Sequence, residues 1–278
     1  MDWLTFTILG GLASTVFNIF NRAALKTNGD SSVYGWWFEL LRMFIFMGLF
    51  MLNPVLPNDL LSYFWLFALG MVELVSIYFF MKAHQLTELS LSTIVVRLRL
   101  IWTPLFAYFL LGEHLHTSEY LGIFIVLIGV IIAISPHTLK IDRGIVITLI
   151  SSFVLTVLNL IQKKTALIAS PPLVMITMSL PSVIFLPFII KNAKKRLSSI
   201  RKKSFVQNLV GTIFNVISMY CLIAALRFES TSKINTIFQS MMVVSLFFGI
   251  VFFRERKQMW QKILGTIVTI CGLFFLIK

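Results

Sequence analysis

The chain has 278 residues, of which 58% are hydrophobic and only 13% charged, with a formal net charge of +13 and a mean hydropathy of +0.91. This composition excludes an ordinary soluble domain and makes lipid the main solvent. A spanning helix takes about 20 apolar residues, because the hydrocarbon core is about 30 Å thick and a helix rises 1.5 Å per residue. About ten such helices fill the chain, leaving short connectors and no soluble catalytic domain.

The first apolar run, 3 to 22, starts without a preceding basic segment and ends at Asn21, Arg22 and Lys26 without a small-residue cleavage site, so a retained span is expected. Asn28-Gly29-Asp30 turns the chain into a second run, 33 to 52, and Asn53-Pro54 with Pro57-Asn58-Asp59 leads to a third, 60 to 82. Runs at 89 to 111 and 118 to 135 follow, the latter closed by Ser135-Pro136. A sixth run, 144 to 166, is separated by Ser170-Pro171-Pro172 from a seventh at 173 to 190, which carries Pro181 and Pro187 as bending points, as Pro104 is in the fourth. After a connector from Lys191 to Ser204, the runs 206 to 226, 231 to 253 and 261 to 277 complete ten.

That connector holds seven Lys and Arg residues and no acid. Beside a span such a cluster is a topological anchor on anionic headgroups, not a nucleic-acid surface. Connectors after the odd-numbered runs carry sixteen Lys and Arg residues, against five at the termini and in the other connectors. The positive-inside rule therefore predicts cytoplasmic basic loops and both termini outside; the expected location is a bacterial inner (cell) membrane. Cys221 and Cys271 lie inside apolar runs and suggest neither a disulfide nor a thiolate metal site.

An internal repeat carries more information than any short motif. A shift of about 141 to 143 residues superimposes the halves 1–140 and 141–278. Val16-Phe17-Asn18-Ile19-Phe20-Asn21-Arg22 meets Val157-Leu158-Asn159-Leu160-Ile161-Gln162-Lys163, and Leu74-Val75-Ser76-Ile77-Tyr78 meets Val216-Ile217-Ser218-Met219-Tyr220. Leu121-Gly122 and Gly129 meet Leu264-Gly265 and Gly272. Each unit holds five spans, an odd number, so the second copy enters the membrane inverted relative to the first, an architecture of secondary transporters. The expected fold is an all-α membrane protein of ten transmembrane helices in two inverted five-helix repeats.

A Glu closes the fourth span of each half, in Leu111-Gly112-Glu113-His114 and Phe253-Arg254-Glu255-Arg256. With ten spans and two halves, the chain resembles the EamA family of the drug/metabolite transporter superfamily over essentially its full length. The resemblance implies alternating access around a central cavity lined by spans 1, 3, 4, 6, 8 and 9.

Five charges lie deep in apolar runs: Glu39, Arg42, Glu73, Arg97 and Arg99. Facing lipid, they would cost roughly 12 to 17 kcal/mol together, so they face protein, water or each other. Polar residues at repeat-related positions mark a shared central space: Asn18 and Asn21 match Asn159 and Gln162, Glu73 and Ser76 match Asn215 and Ser218, and Thr93 and Arg97 match Asn235 and Gln239. The members of each pair are spaced i,i+3 or i,i+4 and so share a helix face. Arg97 and Glu73 are the expected cavity charges, contacting substrate, a coupling proton or each other. Arg99 is about 200° around its helix from Arg97 and points elsewhere. Glu39 and Arg42 have apolar counterparts near Leu180 and Ile184 and are expected to form a structural ion pair, with Arg99 as a candidate third member.

A Glu and a guanidinium in one cavity suit the ammonium and carboxylate of an amino-acid-like zwitterion. Tyr78 and Tyr220, with Trp102, Trp36 and Trp37, offer aromatic surface, although Trp36 and Trp37 sit near a span end, where interfacial anchoring is the commoner role. His114 and His116 with Glu113 and Glu119 lack a specific metal spacing. Neither a metal nor a cofactor is expected. The expected activity is transport of a small polar or zwitterionic metabolite, with a cation or multidrug exporter of the same fold as the alternative. A membrane-embedded enzyme is less favoured, since no His-Glu-x-x-His, Gly-x-Ser-x-Gly or phosphate-binding glycine loop occurs. The duplication makes a monomer sufficient for the whole pathway.

Overall fold

In a computed structural model, residues 2–28, 30–86, 98–134, 143–198, 202–241 and 259–277 are described. They form α1 (Trp3–Asn28), α2 (Ser31–Leu52), α3 (Leu60–Leu86), α4 (Arg99–Leu111), α5 (Thr117–Ile134), α6 (Arg143–Ile168), α7 (Pro171–Ile189), α8 (Ala193–Leu197), α9 (Lys202–Ala225), α10 (Thr231–Ser240) and α11 (Met259–Ile277). Among the described residues α1, α2, α3, α6, α7 and α9 are long and apolar enough to cross a membrane, and α4, α5 and α11 are shorter apolar helices. The short α8 lies in the basic connector, where the sequence foresees no helix.

The packing obeys a pseudo-two-fold. α1 packs chiefly on α9 and α3 on α6, pairings that exchange when the halves are exchanged; α2 packs on α7 and α5 on α11, pairings that map onto themselves. Among the weaker contacts, α4 with α6 answers α10 with α1. Every one of these contacts joins the first half to the second, so the halves interleave.

Glycines make the α5–α11 contact close. A Cβ on Gly122 would lie 2.8 Å from the Gly272 carbonyl, and one on Gly129 would lie 2.8 Å from the Gly265 carbonyl. Gly122 corresponds to Gly265 and Gly129 to Gly272 in the repeat, so one contact is the symmetry image of the other. Backbones can approach this far only where side chains are missing, and that packing drives association in lipid, where apolar side chains gain little by leaving the solvent. The threonines repeat as well. Thr7 and Thr15 donate to the carbonyls of Trp3 and Gly11, and their counterparts Thr148 and Thr156 donate to those of Gly144 and Ser152.

Between α3 and α7, Pro181 cannot donate to the Thr177 carbonyl one turn earlier. That carbonyl faces the bare flank of Gly70, whose Cβ would lie 2.5 Å from it. Ser179, on the same turn, is fully buried. The α3–α7 contact is thus close where the first buried polar cluster forms.

Candidate functional site

That cluster centres on Arg42. Its Nη2 donates to Glu39 Oε2 at 2.5 Å and Glu73 Oε1 at 3.2 Å, and its Nε donates to Ser179 Oγ at 2.9 Å. The guanidinium also lies 5.1 Å from the centroid of the Phe38 ring. All four polar residues are buried. The expected Glu39–Arg42 pair is present on one face of α2, and Glu73 of α3 is a third charged member. Glu73 is therefore held by Arg42, and its expected companion Arg97 lies outside the described residues, as does Thr93.

A second set of polar side chains is buried on α6, α9 and α10, helices that touch one another. Asn159, Gln162, Asn215, Ser218, Asn235 and Gln239 are all at least nine-tenths buried, as are Ser76 and Glu73 on α3. Asn235 Nδ2 donates to the Thr231 carbonyl at 3.0 Å, and Gln162 Nε2 to Met178 Sδ at 3.4 Å. Asn159 Nδ2, Gln162 Oε1, Asn215 Oδ1 and Ser218 Oγ are buried without a hydrogen-bond partner among the described residues. A buried polar atom left unmatched costs about 1–3 kcal/mol, and groups kept in this condition call for an explanation beyond packing. These four atoms offer both donors and acceptors, and none of the six residues is charged.

The remaining expected residues divide. Asn18 is exposed, unlike its mate Asn159, and the side chain of Asn21 lies outside the described residues. Tyr78 and Tyr220 are each 40% exposed. They follow Ser76 and Ser218 by two residues, about 200° around the helix. They share their flanks instead with exposed Met71 and Val75 and with exposed Ile213 and Ile217, again at related positions, so neither tyrosine joins the buried polar face. Trp36 Nε1 donates to the Val183 carbonyl and Trp37 Nε1 to that of Leu197, both at 3.0 Å, tying α2 to the second half.

At the other end of the site, Gly112 closes α4 in a left-handed turn at φ 66°. A side chain would strain this turn, and it sends Glu113 across to the second half. There the Glu113 carboxylate accepts from the N–H groups of Thr231 at 2.8 Å and Ser232 at 3.4 Å, the opening donors of α10. A carboxylate at this point satisfies free N–H groups and complements the helix dipole. Lys233 then pairs with Glu119 of α5, and Glu119 accepts from the His116 N–H at 2.8 Å. Glu113 and Glu119, on either side of the His114–His116 loop, thus serve as clasps between the halves. Sequence reasoning singled out Glu113 but missed its partner; the run Ser230-Thr231-Ser232 after a connector was the available signal for a helix start.

The profile of the EamA-like transporter family matches the chain twice, over residues 1–135 and 142–278. A solved crystal structure, described only as that of a protein, aligns over 98% of this chain and 98% of its own with a TM-score of 0.75 at 13% identity, a likeness of fold. No curated protein matches the chain. Two family matches that together take in nearly every residue, on halves that pack by a pseudo-two-fold, mean that the chain belongs to the EamA-like transporter family, within the drug/metabolite transporter superfamily, and is an integral membrane protein.

Proposed function

We propose that the chain is a secondary transporter that moves a small polar or zwitterionic, amino-acid-like metabolite by alternating access. The observation that carries this reading is the buried, uncharged face of Asn159, Gln162, Asn215 and Ser218, each with a polar atom unmatched among the described residues. Amides and hydroxyls of this kind bind the hydrogen-bonding groups of a small solute and discriminate against solutes lacking them. Asn235 and Gln239 extend the face on α10, with Thr93 and Arg97 as their repeat counterparts on span 4, and Asn18 and Asn21 on α1 are the repeat counterparts of Asn159 and Gln162. Rocking of one repeat against the other opens this face to each side in turn.

The alternative, a cation or multidrug exporter, needs a carboxylate free to meet a cation, and Glu73 is already bonded to Arg42. The basic loops favour a cytoplasmic placement with both termini outside. One chain supplies both repeats, so a monomer suffices.

Thermal stabilisation of the detergent-purified protein by a panel of amino acids, organic anions and lipophilic cations tests the reading, since a ligand of the folded state alone raises apparent stability. Stabilisation by zwitterions that disappears in Asn215→Leu or Arg97→Gln is expected. Stabilisation by cations alone, unchanged in those variants, would favour the exporter instead.

A further inference from the structure

Among the described residues, the Arg42 cluster holds more negative than positive charge. Two carboxylates, Glu39 and Glu73, meet one guanidinium, and both bond the same nitrogen, Nη2, while Nε is given to the neutral Ser179. All four residues are buried between α2, α3 and α7, so with both acids ionised the site would keep an uncompensated charge away from water. Glu39 Oε1, in addition, is buried with no hydrogen-bond partner among the described residues. A free carboxylate oxygen at an acid-rich site is the atom that a proton would occupy.

Among the described residues, the cations on the helices packed against α2, α3 and α7 stand away from the cluster. α7 contributes Ser179 and has no titratable residue. On α6, Lys164 stacks 4.3 Å over Trp65, more than two turns of α3 from Glu73, and Lys163 donates to the carbonyls of Leu226 and Glu229. α9 has Lys202 and Lys203 in its first turn and Tyr220 and Cys221 more than one turn before its end, and on α2 its neighbour is Tyr34, whose carbonyl accepts from Asn208. On α1, Asp2 is bonded to Thr5 at the helix start, with Arg22 and Lys26 near the other end. Lys82 and His84 stand more than two turns beyond Glu73 on α3.

We propose that Glu39 and Glu73 together hold one exchangeable proton beside Arg42, making the α2–α3–α7 junction a proton-binding site of the transport cycle. The step is protonation of one carboxylate by water-derived H⁺ and its later return to water, with no other reactant. The cluster occurs in one half only: the counterparts of Glu39 and Arg42 fall near Leu180 and Ile184, and that of Glu73 is Asn215. The glycine and threonine contacts that build the fold occur in both. A feature present once serves something other than the shared architecture, and Ser179 links it to the opposite repeat, so a change in protonation bears on the contact between halves. The transport role rests on the function proposed above, whereas the proton site itself does not.

Infrared spectroscopy of the full chain in liposomes provides the test, with no substrate required. A protonated-carboxyl band is expected at neutral pH, titrating away in alkali, lost in Glu39→Gln and in Glu73→Gln and retained in Glu113→Gln. Absence of the band at neutral pH, or its survival in both cluster variants, overturns the proposal. If one variant fails to fold, the other and the native titration still decide. A protein that moves no solute can show the band, and a transporter driven otherwise lacks it, so the two failures are distinguishable.

Discussion

Replacing Gly129 with Val places a branched side chain where two backbones meet. The new Cβ would lie 2.6 Å from the Thr269 nitrogen and 2.8 Å from the Gly265 oxygen, whereas ordinary contact begins at 3.4 Å. Backbone atoms cannot rotate away, so α5 and α11 must part by about 0.6 to 0.8 Å, enough for each contact along the seam to forfeit a quarter to a half of its attraction. The expected loss is about 1–3 kcal/mol, read from unfolding in detergent micelles. Gly48→Val is the control, because nothing lies within 4 Å of its Cβ, and it should change stability by less than about 0.5 kcal/mol. Gly272→Val should cost a similar amount alone but little more when added to Gly129→Val, since one widening accommodates both. Equal stability of Gly129→Val and Gly48→Val would refute the close packing on which the two-fold rests.

Arg42→Met leaves two buried carboxylates without their guanidinium and should cost about 3–5 kcal/mol in the same assay; adding Glu39→Gln should recover part of it, and no recovery would mean that charge is not the cause. Glu113→Ala removes the acceptor at the start of α10 and should cost about 1–2 kcal/mol, with amide exchange at Thr231 and Ser232 rising first; unchanged protection there would contradict the clasp. Outside the spans, the Ser62 hydroxyl and N–H hold the Asp59 carboxyl below the usual aspartate range. A lowered folded value gives stabilisation that is present at neutral pH and lost as pH falls through that value. Protection of the Ser62 amide should therefore drop in acid in the native chain and show no such step in Asp59→Asn.

The repeat was legible because polar residues inside apolar runs are few, and Asn18 with Asn159 or Glu73 with Asn215 stand out at a nearly constant shift. The Glu39–Arg42 pair was legible from its i,i+3 spacing. Its third partner was not: Glu73 lies 31 residues from Arg42, and sequence spacing says nothing about which helices adjoin. The tyrosines are a different case. The 200° argument that separates Arg99 from Arg97 also separates Tyr78 from Ser76 and Tyr220 from Ser218, and it would have taken both off the polar face. The glycines matched in sequence, but that Gly122 meets Gly272 and Gly129 meets Gly265 follows only from the antiparallel pairing of α5 with α11.

Solute flux into proteoliposomes containing the purified chain tests the central claim most directly. Saturable uptake of a polar or zwitterionic metabolite from the panel, abolished by Asn215→Leu in a protein that still unfolds cooperatively, is the predicted result. Uptake confined to lipophilic cations and indifferent to Asn215→Leu would contradict it.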